Sequence, residues 1–252
     1  MTTDPFGGNG PDPKDFDPAH PPEQQAPPGD AEADLELSIR GARAREGSES
    51  GEMTVDLNTT RGVIEMHFRP CEGKTGAAIF IGGAGGGVDG PADRVYVRLG
   101  DSLSERGIST LRVSYREAGE FQECVLDTLA ACSFLKGLGA SKVVVVGHSF
   151  GGAVAIKAAE LSPLVGAVVA MSSQRFGTHD VEKLDRPLLL IHGSKDDVLD
   201  KAASEDIHSR AKDPKQLVIL EGAGHGLAEA ADDVFNILQD FIGRQVGVSE
   251  DS

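Results

Sequence analysis

The sequence has few cysteines, and their spacing indicates neither a disulfide framework nor a metal site. Cys71, Cys124 and Cys132 are an odd number and match no metal-binding cysteine motif. We therefore expect a fold that is stabilised by its core alone. Nothing in the sequence requires a metal or another cofactor.

Basic residues are also scarce. The chain has 24 lysines and arginines against 40 aspartates and glutamates, which gives a formal net charge of −16. An acidic surface repels phosphate backbones and anionic lipids, so we expect neither nucleic acid nor a membrane surface as a partner. A small-molecule substrate remains the expected partner, and the sequence does not distinguish a monomer from a dimer.

Long apolar runs are absent. No stretch reaches the roughly 20 residues that a membrane-spanning helix requires. The first 30 residues lack the basic start and apolar core of a secretory signal. These observations predict a cytoplasmic protein.

Proline is concentrated at the start of the chain. Eight of the 13 prolines lie between Pro5 and Pro28, among glycine, aspartate and glutamine. Such a segment cannot bury enough apolar surface to offset the entropy lost on ordering. We therefore predict a disordered tail over residues 1–32, one domain over residues 33–244, and an acidic tail over residues 245–252.

Hydrophobic periodicity predicts an α/β fold for this domain. Leu35–Ile39 and Met53–Phe68 alternate between polar and apolar residues, which is typical of antiparallel strands. Short apolar runs then predict buried parallel strands at Ala77–Ile81, Thr110–Tyr115, Lys142–Val146, Gly166–Met171, Pro187–His192 and Gln216–Leu220. Segments with helical periodicity separate these runs, at Pro91–Arg106, Glu120–Leu138, Phe150–Leu161, Ala202–Lys212 and Ala228–Ile242. The alternation predicts a mostly parallel, doubly wound sheet with antiparallel strands at its N-terminal end.

The strongest motif is Gly147-His148-Ser149-Phe150-Gly151, which directly follows a buried strand and precedes a helix. A serine on such a tight turn is held in a strained conformation that exposes its hydroxyl. Here the chain resembles the α/β-hydrolase family, over roughly Met53 to Ile242. The resemblance implies an α/β-hydrolase fold and an ester hydrolase that forms an acyl-enzyme on Ser149.

A serine nucleophile needs a base and a carboxylate, which follow it in this family in the order acid, then histidine. His225, in Gly224-His225-Gly226 after the last predicted strand, matches the base. Asp196 matches the acid, three residues after Gly193 at the end of a buried strand; the adjacent Asp197 is the alternative.

The oxyanion of a tetrahedral intermediate needs backbone N–H donors. Phe150, one residue past the nucleophile, is expected to supply one of them. The resemblance places the other in the glycine-rich loop after strand Ala77–Ile81, at Ala84, or at Gly83 or Gly85 if the register differs. The family usually has His-Gly at the start of this loop, where this chain has two glycines.

Only residues 172–186 separate the strands that precede and carry the acid, which is too little for a cap domain. The chain therefore resembles small capless esterases and the dienelactone-hydrolase-like group, although that group typically has a cysteine nucleophile. Arg116 and Arg175 each follow a strand on the catalytic edge. Each is a candidate for binding a substrate carboxylate or phosphate, with surface salt bridging as the alternative.

Two other functions remain open. Gly85, Gly87 and Gly90 match the dinucleotide fingerprint, with Arg116 as the candidate ligand of an NADP phosphate. That hypothesis leaves Ser149, His225 and the acid unexplained. The other alternative is a binding protein that keeps the fold without catalysis.

Overall fold

The computed structural model describes residues 36–247. The tail predicted over residues 1–32 lies outside the described residues, as does residue 248 onward of the acidic tail. The last helix continues to Val246, two residues beyond the predicted end of the domain.

Strands and helices alternate along most of the described chain. The strands are β1 (Ile39–Glu46), β2 (Met53–Thr59), β3 (Gly62–Arg69), β4 (Gly76–Ile81), β5 (Ser109–Ser114), β6 (Lys142–His148), β7 (Val165–Met171), β8 (Leu188–Gly193) and β9 (Lys215–Leu220). The α-helices are α1 (Pro91–Glu105), α2 (Phe121–Gly137), α3 (Phe150–Leu161), α4 (Ala202–Arg210) and α5 (Ala231–Val246). Short 3-10 helices span Val181–Lys183 and Ala228–Ala230.

All nine described strands form one sheet in the order β1-β2-β3-β5-β4-β6-β7-β8-β9. The six strands from β4 to β9 are parallel, whereas β1, β2 and β3 pair antiparallel. This arrangement confirms the predicted mostly parallel sheet with antiparallel N-terminal strands. The carboxyl ends of the parallel strands, and hence the loops after them, meet at one edge.

Strand β6 shows why the parallel strands are apolar on both faces. Val143 and Val145 belong to the core on the face covered by α2, α3 and α4. Val144 and Val146 belong to the core on the opposite face, covered by α1 and α5. Because successive side chains point to opposite faces, a strand between two helical layers must be apolar at every position.

The first strand differs from the prediction. A strand was expected at Leu35–Ile39, but β1 runs from Ile39 to Glu46 and every one of its residues is exposed. It pairs only with β2 and has a register irregularity between Ile39 and Gly41. Since neither face is buried, the strand depends on backbone pairing and leaves no hydrophobic pattern in the sequence.

Helix α1 begins irregularly. Pro91 occupies the first turn as expected, but Ala92, Asp93 and Arg94 have left-handed backbone with φ of 50–55°. The N–H of Ala92 donates to the carbonyl of Gly226 at 2.8 Å. This start ties α1 to the loop after β9, and it lacks the regular first turn whose free N–H groups would hold a pyrophosphate.

The connection between β7 and β8 contains only the 3-10 helix Val181–Lys183. No cap domain is therefore inserted between these strands, as predicted. None of the helices within residues 36–247 is long and apolar enough to cross a membrane.

The turn from β6 into α3 brings three backbone segments unusually close. A Cβ built on Gly147 would lie 2.0 Å from the carbonyl oxygen of Gly151. A Cβ built on Gly151 would lie 2.2 Å from the carbonyl oxygen of Gly82, in the loop after β4. Glycine is required at both positions because rigid backbone occupies the space of a side chain.

We predict that Gly151→Ala lowers the free energy of unfolding by at least about 1–3 kcal/mol, because the added methyl group must displace backbone. Urea unfolding monitored by circular dichroism measures this change. Gly137→Ala is the matched control, because no atom lies within 4 Å of its Cβ position at the end of α2. Equal stability of the two variants would contradict the proposed close packing.

Candidate active site

Ser149 lies between β6 and α3 with φ 57° and ψ −121°, outside the regions that L-residues favour. Its N–H donates to the carbonyl of Met171 at 2.8 Å, which fixes the turn to the end of β7. Among the described residues its hydroxyl has no hydrogen-bond partner. The strained turn predicted from the sequence is therefore present in the structure.

His225 lies in the loop between β9 and the 3-10 helix that precedes α5. Its Nδ1 is 2.8 Å from Oδ2 of Asp196, and its side chain is 19% exposed. Nδ1 therefore carries a proton that it donates to the carboxylate, while Nε2 has no partner among residues 36–247. The imidazole is thus oriented at one nitrogen and free to exchange a proton at the other.

Asp196 is positioned by main-chain donors as well. Its Oδ1 accepts the N–H groups of Val198 at 2.9 Å and Leu199 at 2.8 Å, and its side chain is fully buried. Burial alone would raise its pKa, but these two bonds and the bond from His225 outweigh burial and lower it. Asp197 points into solvent. The structure joins His225 to Asp196 and not to Asp197.

A second histidine, His192 at the end of β8, lies beside Asp196. It is fully buried, with Nδ1 2.7 Å from the hydroxyl of Ser204 and Nε2 3.0 Å from the carbonyl of Leu199. The same Nε2 lies 3.1 Å from Oδ2 of Asp196. His192 therefore helps to hold the carboxylate and is closed to substrate.

Two residues that the sequence reasoning missed hold the backbone of His225. Its carbonyl oxygen accepts Nε2–H of His148 at 2.9 Å and the hydroxyl of Ser172 at 3.0 Å. Both residues directly follow the buried core of strands β6 and β7. The sequence could have pointed to these two residues only by their position at the carboxyl ends of strands. No sequence motif predicts a contact to a main-chain oxygen that lies 50 or more residues away.

His148 is neutral in this arrangement. Burial lowers its pKa from 6.5 to about 4, although the hydrogen bond to the carbonyl of His225 opposes this shift. The ring centroids of His148 and His225 are 4.8 Å apart. A neutral His148 adds no second positive charge beside the imidazolium that His225 would form.

The loop after β4 approaches the nucleophile at Gly83. A Cβ on Gly83 would lie 3.6 Å from Cβ of Ser149, and the turn is closed by a bond from Gly86 N–H to the Gly83 carbonyl at 3.0 Å. Within residues 36–247, the N–H groups of Ala84 and Phe150 have no acceptor. Both are thus available to an oxyanion, and their role remains a prediction.

The structure corrects the expectation for Arg116. Its guanidinium donates to Asp127 through Nε, to Glu123 at 2.8 Å and to the carbonyl of Arg61 at 2.8 Å. The side chain is only 6% exposed and Asp127 is fully buried. Arg116 is therefore committed to a buried ion pair between the end of β5 and α2, which is neither an exposed anion site nor the surface salt bridge of the alternative.

Arg175 lies on the connection between β7 and β8. Its side chain is 65% exposed and donates to Asp206 of α4 at 3.1 Å. A role in binding anionic substrates remains a prediction for this residue.

The described residues give little support to a metal site, a reactive cysteine or an NADP site. No group of three or more histidine, cysteine or acidic side chains within residues 36–247 is arranged to hold a metal ion. Burial raises the pKa of Cys124 and Cys132 to about 12, so neither is a thiolate at neutral pH. The NADP hypothesis loses its phosphate ligand, because Arg116 is used inside the fold.

The sequence pattern of the dienelactone hydrolase family matches residues 92–242. One curated relative, named "Putative carboxymethylenebutenolidase" and found in Saccharolobus solfataricus, is 25% identical over 162 residues. That match covers 59% of this chain and 63% of the relative's own length.

Solved structures share the fold at low sequence identity. A dienelactone hydrolase from Anabaena variabilis is 21% identical with a TM-score of 0.66, over 77% of this chain and 98% of that one. A serine hydrolase without a lid from Xanthomonas campestris is 20% identical with a TM-score of 0.66, over 81% of this chain and 100% of that one. An esterase domain from Rhodothermus marinus is 21% identical with a TM-score of 0.63, over 77% and 98%.

We predict that His148→Gln reduces the loss of stability on acidification. Because the pKa of His148 is lowered to about 4, the unfolded chain binds more protons than the folded protein between pH 6.5 and 4. This contribution to stability is present above pH 6.5 and is lost as pH falls towards 4. Glutamine keeps an N–H donor but does not titrate.

Urea unfolding at several pH values between 7 and 4 measures the effect. Between pH 7 and 4, we expect the free energy of unfolding to fall by about 1–2 kcal/mol less in the variant than in the wild type. Parallel pH profiles for the two proteins would contradict the assignment of a buried, neutral His148.

We predict that Arg116→Ala lowers the free energy of unfolding by about 3–5 kcal/mol, because it leaves Asp127 buried without its partner. It should not change the ratio of kcat/KM for an anionic ester to that for a neutral ester. Arg175→Ala is the comparison, with an expected stability change below about 1 kcal/mol for an exposed pair. A folded Arg116→Ala protein with a tenfold lower ratio would restore the anion-binding hypothesis.

Proposed function

The chain belongs to the dienelactone hydrolase family, and on that premise we propose that it hydrolyses a carboxylic ester or thioester through an acyl-enzyme on Ser149. Relatives named as dienelactone hydrolase and esterase support an ester-type substrate. One observation carries the proposal. Ser149 has the strained backbone of a nucleophile turn, and at the same edge of the sheet Nδ1 of His225 lies 2.8 Å from the buried carboxylate of Asp196.

In the first half-reaction, Nε2 of His225 takes the proton of the Ser149 hydroxyl as its oxygen attacks the ester carbonyl carbon. Asp196 keeps the proton on Nδ1, which leaves the lone pair on Nε2, and stabilises the imidazolium that forms. The lowered pKa of Asp196 matches this role, because it keeps the carboxylate charged at neutral pH.

The tetrahedral oxygen carries negative charge, and we assign its stabilisation to the N–H groups of Ala84 and Phe150. Collapse of the intermediate breaks the bond to the alcohol or thiol, and the imidazolium returns its proton to that leaving group. An acyl-enzyme remains on Ser149.

In the second half-reaction, water attacks the acyl-enzyme while His225 removes a proton from it. The second tetrahedral intermediate then breaks its bond to Oγ of Ser149, the imidazolium returns the proton to that oxygen, and the carboxylic acid departs. The absence of a cap insertion between β7 and β8 supports direct access of water and substrate from the solvent. The use of serine where the group typically has cysteine makes the base more important, because a hydroxyl ionises far less readily than a thiol.

We predict that a fluorophosphonate labels Ser149 and no other residue of the wild-type protein. The reagent forms a stable bond only with an activated serine, and peptide mass spectrometry locates it. Ser149→Ala should abolish labelling while circular dichroism shows that the variant is folded.

A matched pair of substitutions tests the acid in the same assay. Asp196→Asn should slow labelling and ester hydrolysis by up to about 10⁴-fold, because the imidazole loses its orienting charge. Asp197→Asn removes the same charge one residue away and should have little effect. A folded wild type that is not labelled would favour a binding protein without catalysis.

A further inference from the structure

A cavity of about 510 Å³ lies beside the nucleophile. It is lined by residues 82, 83 and 86–90 of the glycine-rich loop together with Pro91, Tyr96, His148 and Gly226. Gly83 borders the cavity, and its Cβ position is 3.6 Å from Cβ of Ser149. Two of its lining residues, Gly83 and His148, are therefore neighbours of the serine, and the cavity volume falls within the range of small-molecule sites.

The walls of this cavity carry no uncompensated charge. Asp89 contributes its carboxylate, but Arg112 lies 2.9 Å and Arg94 3.1 Å from its oxygens. The hydroxyl of Tyr96 is used inside the fold, because it donates to the carbonyl of Ile81 at 3.0 Å. Most of the remaining wall is glycine backbone, so the cavity fits a neutral group.

The position of His225 indicates which part of the ester, the acyl group or the leaving group, lies nearer the cavity. Gly226 follows His225 in the chain, and His148 has its ring 4.8 Å from the imidazole. Since His225 must protonate the departing oxygen, the leaving group has to lie beside this histidine. The cavity is therefore on the side from which the alcohol departs.

A different surface is available to the acyl half. Phe150, which follows Ser149, packs edge-on against Phe121 with ring centroids 5.8 Å apart, and Phe121 packs in the same way against Phe176 at 5.7 Å. Phe176 is 59% exposed. This aromatic row belongs to the face covered by α2 and α3, opposite the face on which Tyr96 of α1 packs.

We infer that the cavity is the leaving-group subsite and accepts a neutral alcohol as large as an aryl-methyl or branched alkyl group. The inference rests on the proposed function. Gly226 is its specificity-determining position, because a Cβ there would meet no atom within 4 Å and would project into open space. Gly226 also lies outside the left-handed region, so a larger residue brings no backbone strain.

The test compares benzyl acetate with methyl phenylacetate, two isomers that carry the phenyl ring on opposite sides of the ester. For Gly226→Leu we expect the ratio of kcat/KM for benzyl acetate to that for methyl phenylacetate to fall at least about tenfold. Gly224→Ala is the control, because it lies in the same loop, has no atom closer than 3.9 Å to its Cβ position, and does not line the cavity. Its ratio should stay near that of the wild type.

An unchanged ratio in Gly226→Leu, or a larger loss with methyl phenylacetate, would overturn the assignment to the leaving group while hydrolysis itself continued. An equal loss with both esters would show that Gly226 acts through His225 and would also overturn it. Turnover of neither ester by the folded wild type, with Ser149 unlabelled by fluorophosphonate, would instead count against the proposed function itself.

Discussion

The site depends on the close approach of three backbone segments at the carboxyl edge of the sheet. A Cβ on Gly147 would meet the carbonyl oxygen of Gly151, and a Cβ on Gly151 would meet that of Gly82, so neither position can hold a side chain. This contact holds the end of β6, the start of α3 and the loop after β4 in one arrangement. It forces Ser149 into its strained conformation and brings Gly83 against it, so nucleophile and candidate oxyanion donors are fixed together. The core on both faces of β6 supplies the energy that such strain requires.

The parts of the fold that follow from burial could be predicted from the sequence. Strand β6 is apolar at every core position because helices cover both faces, and the same logic locates the other parallel strands. Strand β1 could not be located in this way, because all of its residues are exposed. It is held by backbone bonds to β2 and by ion pairs of Arg45 with Asp56 and Glu65. The left-handed start of α1 was equally inaccessible, since Ala92, Asp93 and Arg94 are not residues that signal such backbone.

The residues of the candidate site likewise fall into those that the sequence predicts and those that it does not. Ser149, His225 and Asp196 each follow a recognisable strand, and motif spacing alone distinguished Asp196 from Asp197. The supports of His225 have no such signature, because His148 and Ser172 act on a carbonyl oxygen distant in sequence. Arg116 was misleading for a related reason. Its position after β5 predicts exposure at the edge, but Asp127, one helical layer away, draws its guanidinium into the interior.

Two sets of contacts hold His225, the proposed catalytic base, one at its ring and the other at its main chain. Asp196 fixes the ring through Nδ1, and this bond gains strength as the imidazole becomes charged. His148 and Ser172 fix the main chain through the carbonyl oxygen, and neither carries a charge that changes during the reaction. Protonation of the ring therefore leaves the bonds to the carbonyl oxygen unchanged, whereas the bond to Asp196 favours the protonated ring. In the proposed mechanism, these contacts would let His225 gain and lose a proton without a shift of its ring or its main chain. Among the described residues, Nε2 is the ring nitrogen without a partner.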